Sequence, residues 1–169
     1  MDRSAPIFAP LSRLLLTLVL AASMSITAGF CQQPSGATAT PQKPYRERLL
    51  ERARNGDADA QFELGKNYET GRIGLPKDFS QAQYWYRKAA DQGDPYAEAS
   101  LGILFNFGKG VQRDYVQAYM WYDRAAMHAQ GGDRDSIVEL RDGIVENLTP
   151  QQIAEAKRLA REWKPVAKQ

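Results

Sequence analysis

The chain is poor in the two residues that most often bind metals or cross-link a fold. Cys31 is its one cysteine and His128 its one histidine among 169 residues. An intrachain disulfide therefore cannot form, and the fold must be held by packing alone. A structural zinc site needs about four nitrogen or sulfur ligands at short spacing, so the composition predicts neither a metal nor a cofactor.

Charge of one sign is also scarce. The chain carries 22 basic and 20 acidic residues, a formal net charge of +2. Nucleic-acid binding by counterion release calls for a visible stripe of Lys and Arg, and the sequence shows none, so no nucleic-acid partner is expected. Hydrophobic residues make up 43% of the chain and charged residues 25%, which are values typical of an ordinary folded domain.

An apolar run near the N-terminus predicts an export signal. Arg3 and Arg13 precede the run 14–22, which reads LLLTLVLAA, and small residues follow it. A basic region, an apolar region and small residues in this order are typical of a secretory signal peptide, here residues 1–28 with cleavage after Ala28. The protein is therefore expected to be periplasmic or secreted.

Two alternatives to a cleaved signal stay open. The apolar segment, taken as far as Phe30, is about as long as the shortest membrane-spanning helices, so an uncleaved anchor would tether the protein to a membrane. A lipoprotein would be modified at Cys31. Its signal wants a small residue just before the cysteine, however, and this chain has Phe30 there.

The rest of the chain is organised by an internal repeat. Residues recur in the same order 37 and then 36 positions later, and Ile73 is the inserted residue that accounts for the change. Ordered matches with a single gap predict two tandem units, residues 57–93 and residues 94–130. The matched pairs include Ala60/Ala97, Leu64/Leu101, Gly65/Gly102, Gly71/Gly108, Asp78/Asp114, Gln81/Gln117, Trp85/Trp121 and Tyr86/Tyr122.

Each unit is predicted to be a pair of helices. In the first helix Ala60, Leu64 and Tyr68 stand one helical turn apart and form an apolar stripe, and glycines end it. The second helix begins at Asp78 in one unit and at Asp114 in the other. Each aspartate is followed three residues later by a glutamine, which is the pattern of a capping box.

The segments outside the two units have separate roles. Residues 29–44 include three prolines among small and polar residues, and they predict a disordered linker because they cannot bury apolar area. Residues 45–56 predict a capping helix in the place of a preceding unit's second helix. Residues 133–165 predict a divergent pair that closes the stack, with helices over 136–147 and 149–165.

The spacing of the repeated residues resembles the Sel-one-like repeat, a relative of the tetratricopeptide repeat with a slightly longer period. The resemblance is carried by Ala60, Leu64, Gly65, Tyr68 and Gly71, then Asp78, Ala82, Trp85, Tyr86, Lys88, Ala89 and Ala90, with a second copy from Ala97 to Ala126. It implies an all-α fold, a right-handed superhelix of antiparallel helix pairs that mediates protein–protein interaction. A non-enzymatic adaptor of the bacterial envelope, with another protein or a peptide as partner, is therefore the first hypothesis.

An enzymatic role is the alternative hypothesis. A secreted, cysteine-rich branch of the resembled family has helix-linking disulfides, and penicillin binding or hydrolysis is attributed to some of its members. This chain lacks those cysteine pairs, which argues against that activity here. An enzyme acting on cell-wall or β-lactam substrates therefore rests on family analogy alone.

The residues best suited to chemistry are better explained as architecture. Trp85 and Trp121 recur at one repeat position, which favours the core between helices over a binding hot spot. Asp78 and Asp114 stand before helices, which favours caps over catalytic or metal-binding carboxylates. His128 is expected to be exposed or to pack without an evident partner, so the sequence predicts no catalytic residues.

Positions where the two copies differ are the candidates for partner binding. The first helix of the second copy is much more apolar, as where Asn67 becomes Leu104. Packing against different neighbours would explain the difference, and so would a groove that binds a helix or an extended peptide. If first helices line that groove, the predicted partner-binding residues are Gln61, Glu63, Lys66, Asn67, Glu98, Ser100, Leu104 and Phe107.

Overall fold

The structure, a computed structural model, describes residues 43–164, so the predicted signal peptide, Cys31 and most of the predicted linker lie outside the described residues. Within that range the chain forms α-helices and one 3₁₀ turn, without a β-strand, which confirms the predicted all-α solenoid. No helix in this range is long and apolar enough to cross a membrane. The helices are α1 Tyr45–Arg54, α2 Ala58–Thr70, α3 Phe79–Ala90, α4 Pro95–Phe107, α5 Tyr115–His128, α6 Gly131–Asp142 and α7 Pro150–Glu162.

Aspartate side chains begin the four helices of the two units. The carboxylates of Asp57, Asp78, Asp94 and Asp114 accept hydrogen bonds of 2.8 to 3.0 Å from backbone N–H groups in the first turn that follows. These N–H groups have no acceptor inside their own helix, so the caps stabilise the helix ends. The predicted cap roles of Asp78 and Asp114 are confirmed.

The capping boxes predicted at the second helices are replaced by a bond between helices. The backbone N–H of Asp78 donates to Tyr68 O at 2.8 Å, and that of Asp114 donates to Phe105 O at 3.1 Å. A capping box needs this same N–H for the glutamine three residues on, so the predicted reciprocal bond is wrong at both helices. The bond that forms instead links the two helices of each unit.

Left-handed residues turn the chain between the helices of each unit. Gly71 and Gly108 end α2 and α4 at φ 70° and 64°, which glycine adopts without steric cost. Ile73, the inserted residue, is also left-handed at φ 52°, and it packs half-buried against the core of α1, α2 and α3. A β-branched residue is strained in this region, so apolar packing holds the insertion in place.

The helices pack in chain order through their apolar stripes. α2 pairs with α3, α4 pairs with α5, α3 contacts α4, and α1 contacts α2. Trp85 is 8% exposed in the core between α1, α2 and α3, and Trp121 is fully buried in the larger core from α3 to α7. The predicted core role of both tryptophans is confirmed.

Close approach of the two helices in each unit depends on one glycine. A Cβ at Gly65 would lie 2.5 Å from Tyr86 Cδ1, and one at Gly102 would lie 2.6 Å from Tyr122 Cδ1. Both tyrosines are buried, so neither ring can swing into solvent. The repeated glycine and the repeated tyrosine are therefore the two sides of one contact.

Alanine in place of Gly102 is expected to lower the free energy of unfolding by about 1–3 kcal/mol, because its Cβ overpacks against Tyr122. The change also raises helix propensity by about 1 kcal/mol, so any loss of stability is steric. Urea unfolding followed by circular dichroism measures it. Gly132→Ala in α6 is the matched control, because its Cβ meets nothing within 4 Å. A Gly102→Ala variant as stable as Gly132→Ala would contradict the contact.

The first helix of the C-terminal pair differs from its predicted range. α6 spans Gly131–Asp142, whereas the apolar spacing predicts a helix over 136–147. After Gly143 the bonds join residues three apart, including Ile144 N–H to Arg141 O at 3.3 Å. This tighter turn buries Ile144 to 5% exposure, so the apolar spacing is satisfied without continuing the α-helix.

The last helix begins as predicted, ends at Glu162 rather than at residue 165, and lies against α5. Thr149 and Gln152 form a complete capping box at its start. After its end the Trp163 ring stands 5.0 Å from that of Trp121, between centroids. α5 contacts α4, α6 and α7, and every residue from 118 to 126 is buried. α5 is therefore the central helix of the described residues.

Candidate partner-binding surface

Four of the eight predicted partner-binding residues are accessible to solvent on the surface of the first helices. Phe107 is 58% exposed, Lys66 is exposed, and Glu63 and Ser100 are half-buried. Their binding role stays a prediction. The other four face neighbouring helices, so the predicted groove is corrected at these positions: Gln61, Asn67, Glu98 and Leu104 are buried.

Asn67 and Leu104 share a repeat position that faces the interior. Leu104 is 0% exposed in the larger core, and Asn67 is 8% exposed and donates from Nδ2 to Glu63 O at 2.8 Å. Each follows a core leucine by three residues, which places both on the buried side of the helix. The packing explanation therefore holds for Leu104, and Phe107 carries the apolar character that reaches the surface.

Two further aromatic side chains extend this surface, although the comparison of the copies did not single them out. The ring of Phe62 on α2 stands 6.0 Å from that of Tyr96 on α4, and Lys66 Nζ lies 5.5 Å from the Phe62 centroid. The Tyr96 hydroxyl donates to Asp133 of α6 at 2.6 Å. Phe62 and Tyr96 stand one helical turn before Lys66 and Ser100, a signal that helical periodicity could have supplied.

A buried ionisable centre ties α4 to the end of α5. Glu98 is 0% exposed, and Arg124 donates to its Oε1 from Nε at 3.0 Å and from Nη2 at 2.7 Å. His128 Nδ1 lies 2.8 Å from the other oxygen, Oε2. His128 therefore has a partner, which corrects the prediction that it has none, whereas its predicted exposure is confirmed, because 40% of the side chain reaches solvent. Burial raises the pKa of Glu98, and the histidine and the arginine partly oppose that shift.

The first unit has a neutral version of this tie. Gln61 occupies the repeat position of Glu98, and Gln92 that of His128. Gln92 Nε2 donates to Gln61 Oε1 at 2.8 Å, and Gln61 Nε2 donates to Ala53 O at 2.9 Å. Both units thus join the start of the first helix to the end of the second, with an ionisable tie in the second unit alone.

The carboxylate of Glu98 anchors helices and is poorly placed for acid or base catalysis. Both oxygens of Glu98 are occupied, and no part of the side chain reaches solvent. An acid or base catalyst must reach the proton that it transfers, and this carboxylate meets only its own protein. Arg124 also lies 5.5 Å from the Trp163 ring, and Arg87 lies 4.0 Å from it, so the centre extends to the residue that follows α7.

The helix pairs α2–α3 and α4–α5 coincide with a known repeat. The family model described as the Sel1 repeat matches residues 58–94 and 95–129. A crystal structure of a Sel1 repeat protein from Oxalobacter formigenes is 30% identical with a TM-score of 0.53, over 75% of this chain and 93% of that one. The chain belongs to the Sel1-repeat family. A protective antigen of uropathogenic Escherichia coli strains with the SLR fold is 38% identical, with a TM-score of 0.63, over 69% of this chain and 24% of that one.

Two much longer proteins contain segments similar to part of this chain. The ERAD-associated E3 ubiquitin-protein ligase component HRD3A of Arabidopsis thaliana is 37% identical over 64 residues, which are 37% of this chain and 9% of that protein. Chitin synthase regulatory factor 3 of Schizosaccharomyces pombe is 38% identical over 74 residues, which are 43% of this chain and 8% of that protein. The match thus spans less than a tenth of either relative.

Proposed function

We propose that this Sel1-repeat chain is a non-enzymatic scaffold of the bacterial envelope that binds another protein or a peptide. The observation that carries the proposal is the surface of the first helices, where Phe107 and Tyr96 are 58% and 49% exposed, Lys66 is exposed and Ser100 is half-buried. Aromatic side chains among polar groups are typical of binding surfaces. Repeat proteins offer such surfaces along consecutive units.

A non-enzymatic role is supported by the way the acidic and basic side chains are used. Glu98, Arg124 and His128 are tied to one another, and Asp78 and Asp114 cap helices. Two relatives are named as a ligase component and as a regulatory factor, which describes assistance to other proteins. A scaffold is the simplest role for an architecture whose polar groups serve packing.

Export is proposed from the N-terminal sequence, and a bacterial origin from the sources of the two solved relatives. Mass spectrometry of the protein purified from its own cells tests it. A mature N-terminus near Gly29 is the expected result. Retention of Met1 in the membrane fraction would establish a tether instead, and a lipid mass on Cys31 would establish a lipoprotein.

Site-specific photo-cross-linking in cells tests the binding surface. A photoreactive amino acid at Lys66 or Ser100 is expected to capture one partner, because both positions lie on the first-helix surface. The same amino acid at exposed Lys88, near the end of α3, is the matched control. Phe107→Ala is expected to lower the yield at Ser100 without changing the circular dichroism spectrum. Equal capture at Lys88 would contradict the assignment.

Turnover assays separate the scaffold from the alternative enzyme. Purified residues 32–169 are expected to hydrolyse neither a chromogenic β-lactam nor peptidoglycan. Hydrolysis that a point mutation abolishes would overturn the non-enzymatic proposal, whatever the cross-linking shows.

A further inference from the structure

The turns between the helices of each unit carry basic residues at repeated positions. Arg72 and Lys109 follow the left-handed glycines that end α2 and α4. Lys77 and Arg113 precede the aspartates that begin α3 and α5. The net charge of +2 does not reveal this arrangement. The repeat places cations that are distant in the sequence at one edge of the solenoid.

The two turns lie against each other. A Cβ at Gly110 in the second turn would lie 2.5 Å from Phe79 Cβ and 2.9 Å from its backbone carbon, at the start of α3. Lys77 Nζ from the first turn and Lys109 Nζ from the second lie 5.0 Å and 5.9 Å from the Phe79 centroid. One aromatic ring thus holds an ammonium group from each turn by cation–π contact.

Two neighbours complete this edge. Arg46 of α1 donates from Nη1 to Gly74 O in the first turn at 3.4 Å, which adds a further cation. Phe107 presents its exposed ring 5.7 Å from Lys109 Nζ, which adds an apolar surface. We call the edge the basic turn row, defined by Arg46, Arg72, Lys77, Lys109 and Arg113.

The cations of the basic turn row are little used inside the fold. Over residues 43–164, Arg72, Lys77 and Arg113 form no ion pair, and all three are exposed. Lys109 pairs with Glu69 Oε1 at 3.7 Å. Several like charges held close together raise the local potential and attract an anionic ligand.

We propose that the basic turn row binds an acidic peptide segment of a partner protein, with an apolar side chain of that segment against Phe107. Charge complementarity requires a negatively charged ligand. The spacing of the repeat favours an extended peptide, because packed helices stand about 8–10 Å apart and an extended peptide advances about 3.3 Å per residue. Carboxylates on one face of such a strand can therefore meet cations of both turns.

Glu69 favours a peptide over a nucleic acid or an anionic membrane. This carboxylate lies beside the basic turn row, where it accepts from the Tyr86 hydroxyl at 2.7 Å and pairs with Lys109. Evenly spaced phosphates or a sheet of lipid headgroups would be repelled by it. Single carboxylates of a peptide can pair on either side of it.

Fluorescence anisotropy with synthetic peptides tests the proposal on the full chain. The probe is a short labelled peptide that alternates Glu and Gly around one Phe, and its partner probe has Gln for every Glu. Lys77→Glu with Arg113→Glu is expected to weaken binding of the acidic probe about tenfold. Both positions precede helix N-termini, where acidic residues are favourable, so the variant is expected to fold.

A matched control makes the same charge change elsewhere. Arg54→Glu with Arg134→Glu alters exposed residues of α1 and α6 and is expected to bind the acidic probe as wild type does. Circular dichroism melts verify folding, and Lys77→Gln with Arg113→Gln replaces the test variant if it unfolds. Binding is also expected to fall as NaCl rises from about 50 to about 200 mM.

Three outcomes would overturn the inference. The first is equal affinity for the Glu and Gln probes. The second is a loss of affinity in the control variant equal to that in the test variant. The third is tighter binding of phosphatidylglycerol vesicles or of an oligonucleotide than of the acidic probe. The inference rests on the proposed scaffold role, but the two can fail separately. Cross-linking at Lys66 and Ser100 without acidic-peptide binding would exclude the binding role of the basic turn row and leave the scaffold role standing.

Discussion

Alanine in place of Glu98 is expected to lower the free energy of unfolding by about 3–5 kcal/mol, a large share of the stability of a small domain. The carboxylate is fully buried, and Arg124, which is 8% exposed, donates two hydrogen bonds to it. Its removal leaves the guanidinium buried without its acceptor. The expected loss therefore comes from a stranded cation as well as from the cavity.

The pair as a whole stabilises the fold less than this loss suggests. Burial raises the pKa of Glu98 above its ordinary value of 4.5, so folding disfavours the ionised carboxylate. The stability linked to this group is complete below the unfolded pKa and is lost as the pH rises through the folded pKa. Wild type is therefore expected to lose stability relative to Glu98→Gln over that pH range.

Removing both charges separates the cost of the stranded cation from the cost of the cavity. Glu98→Gln with Arg124→Met keeps an amide at the position where the first unit has Gln61, and it leaves no buried cation. Its free energy of unfolding is expected to fall by less than about 1.5 kcal/mol. Guanidinium unfolding of wild type, the single variants and the double variant completes the cycle. A double variant as unstable as Glu98→Ala would contradict the stranded-cation explanation.

Deletion of residues 136–169 is expected to leave a molten or insoluble fragment without a cooperative unfolding transition. The deletion removes α7 and much of α6, two of the three helices that enclose α5. The deletion exposes Trp121 and Tyr119 to solvent and removes Ile137 and Ile144 from the core. Each large buried side chain contributes about 2–5 kcal/mol, so several such losses exceed the stability of a typical domain.

Helix α1 supplies the control for this deletion. Removal of residues 43–56 strips Leu49 and Ala53 from the smaller core and leaves α5 enclosed. That fragment is expected to melt at a lower temperature but still cooperatively. Circular dichroism melts and binding of a hydrophobic dye compare the two fragments. A cooperative melt of residues 45–130 alone would contradict the central role of α5.

The repeat architecture could be predicted because its signals are local. Asp78 and Asp114 cap the helices that follow them, and Trp85 and Trp121 are buried as their repeated position predicts. Helical periodicity and capping depend on neighbours within about one turn, which a single sequence displays. The repeat also reveals Gly65 and Gly102, although not that each faces a tyrosine.

The candidate binding surface was harder to predict because it depends on contacts between helices. Leu104 differs between the copies in the way that a binding residue would, but its side chain packs into the core. Glu98 reads as a polar surface residue until Arg124 and His128, which lie 26 and 30 positions later, are brought to its two oxygens. Partners so far apart in sequence leave no periodic signal.

The sequence by itself determined the two helical pairs, their caps, their tryptophan core and the family, because these follow from short-range spacing and from repetition. Only the tertiary structure decided which polar residues are buried and which cations stand together. Burial and charge clustering depend on the packing of helices that are distant in sequence. The same repeat that was visible from the start places Glu98 inside the fold and sets the basic turn row along its edge.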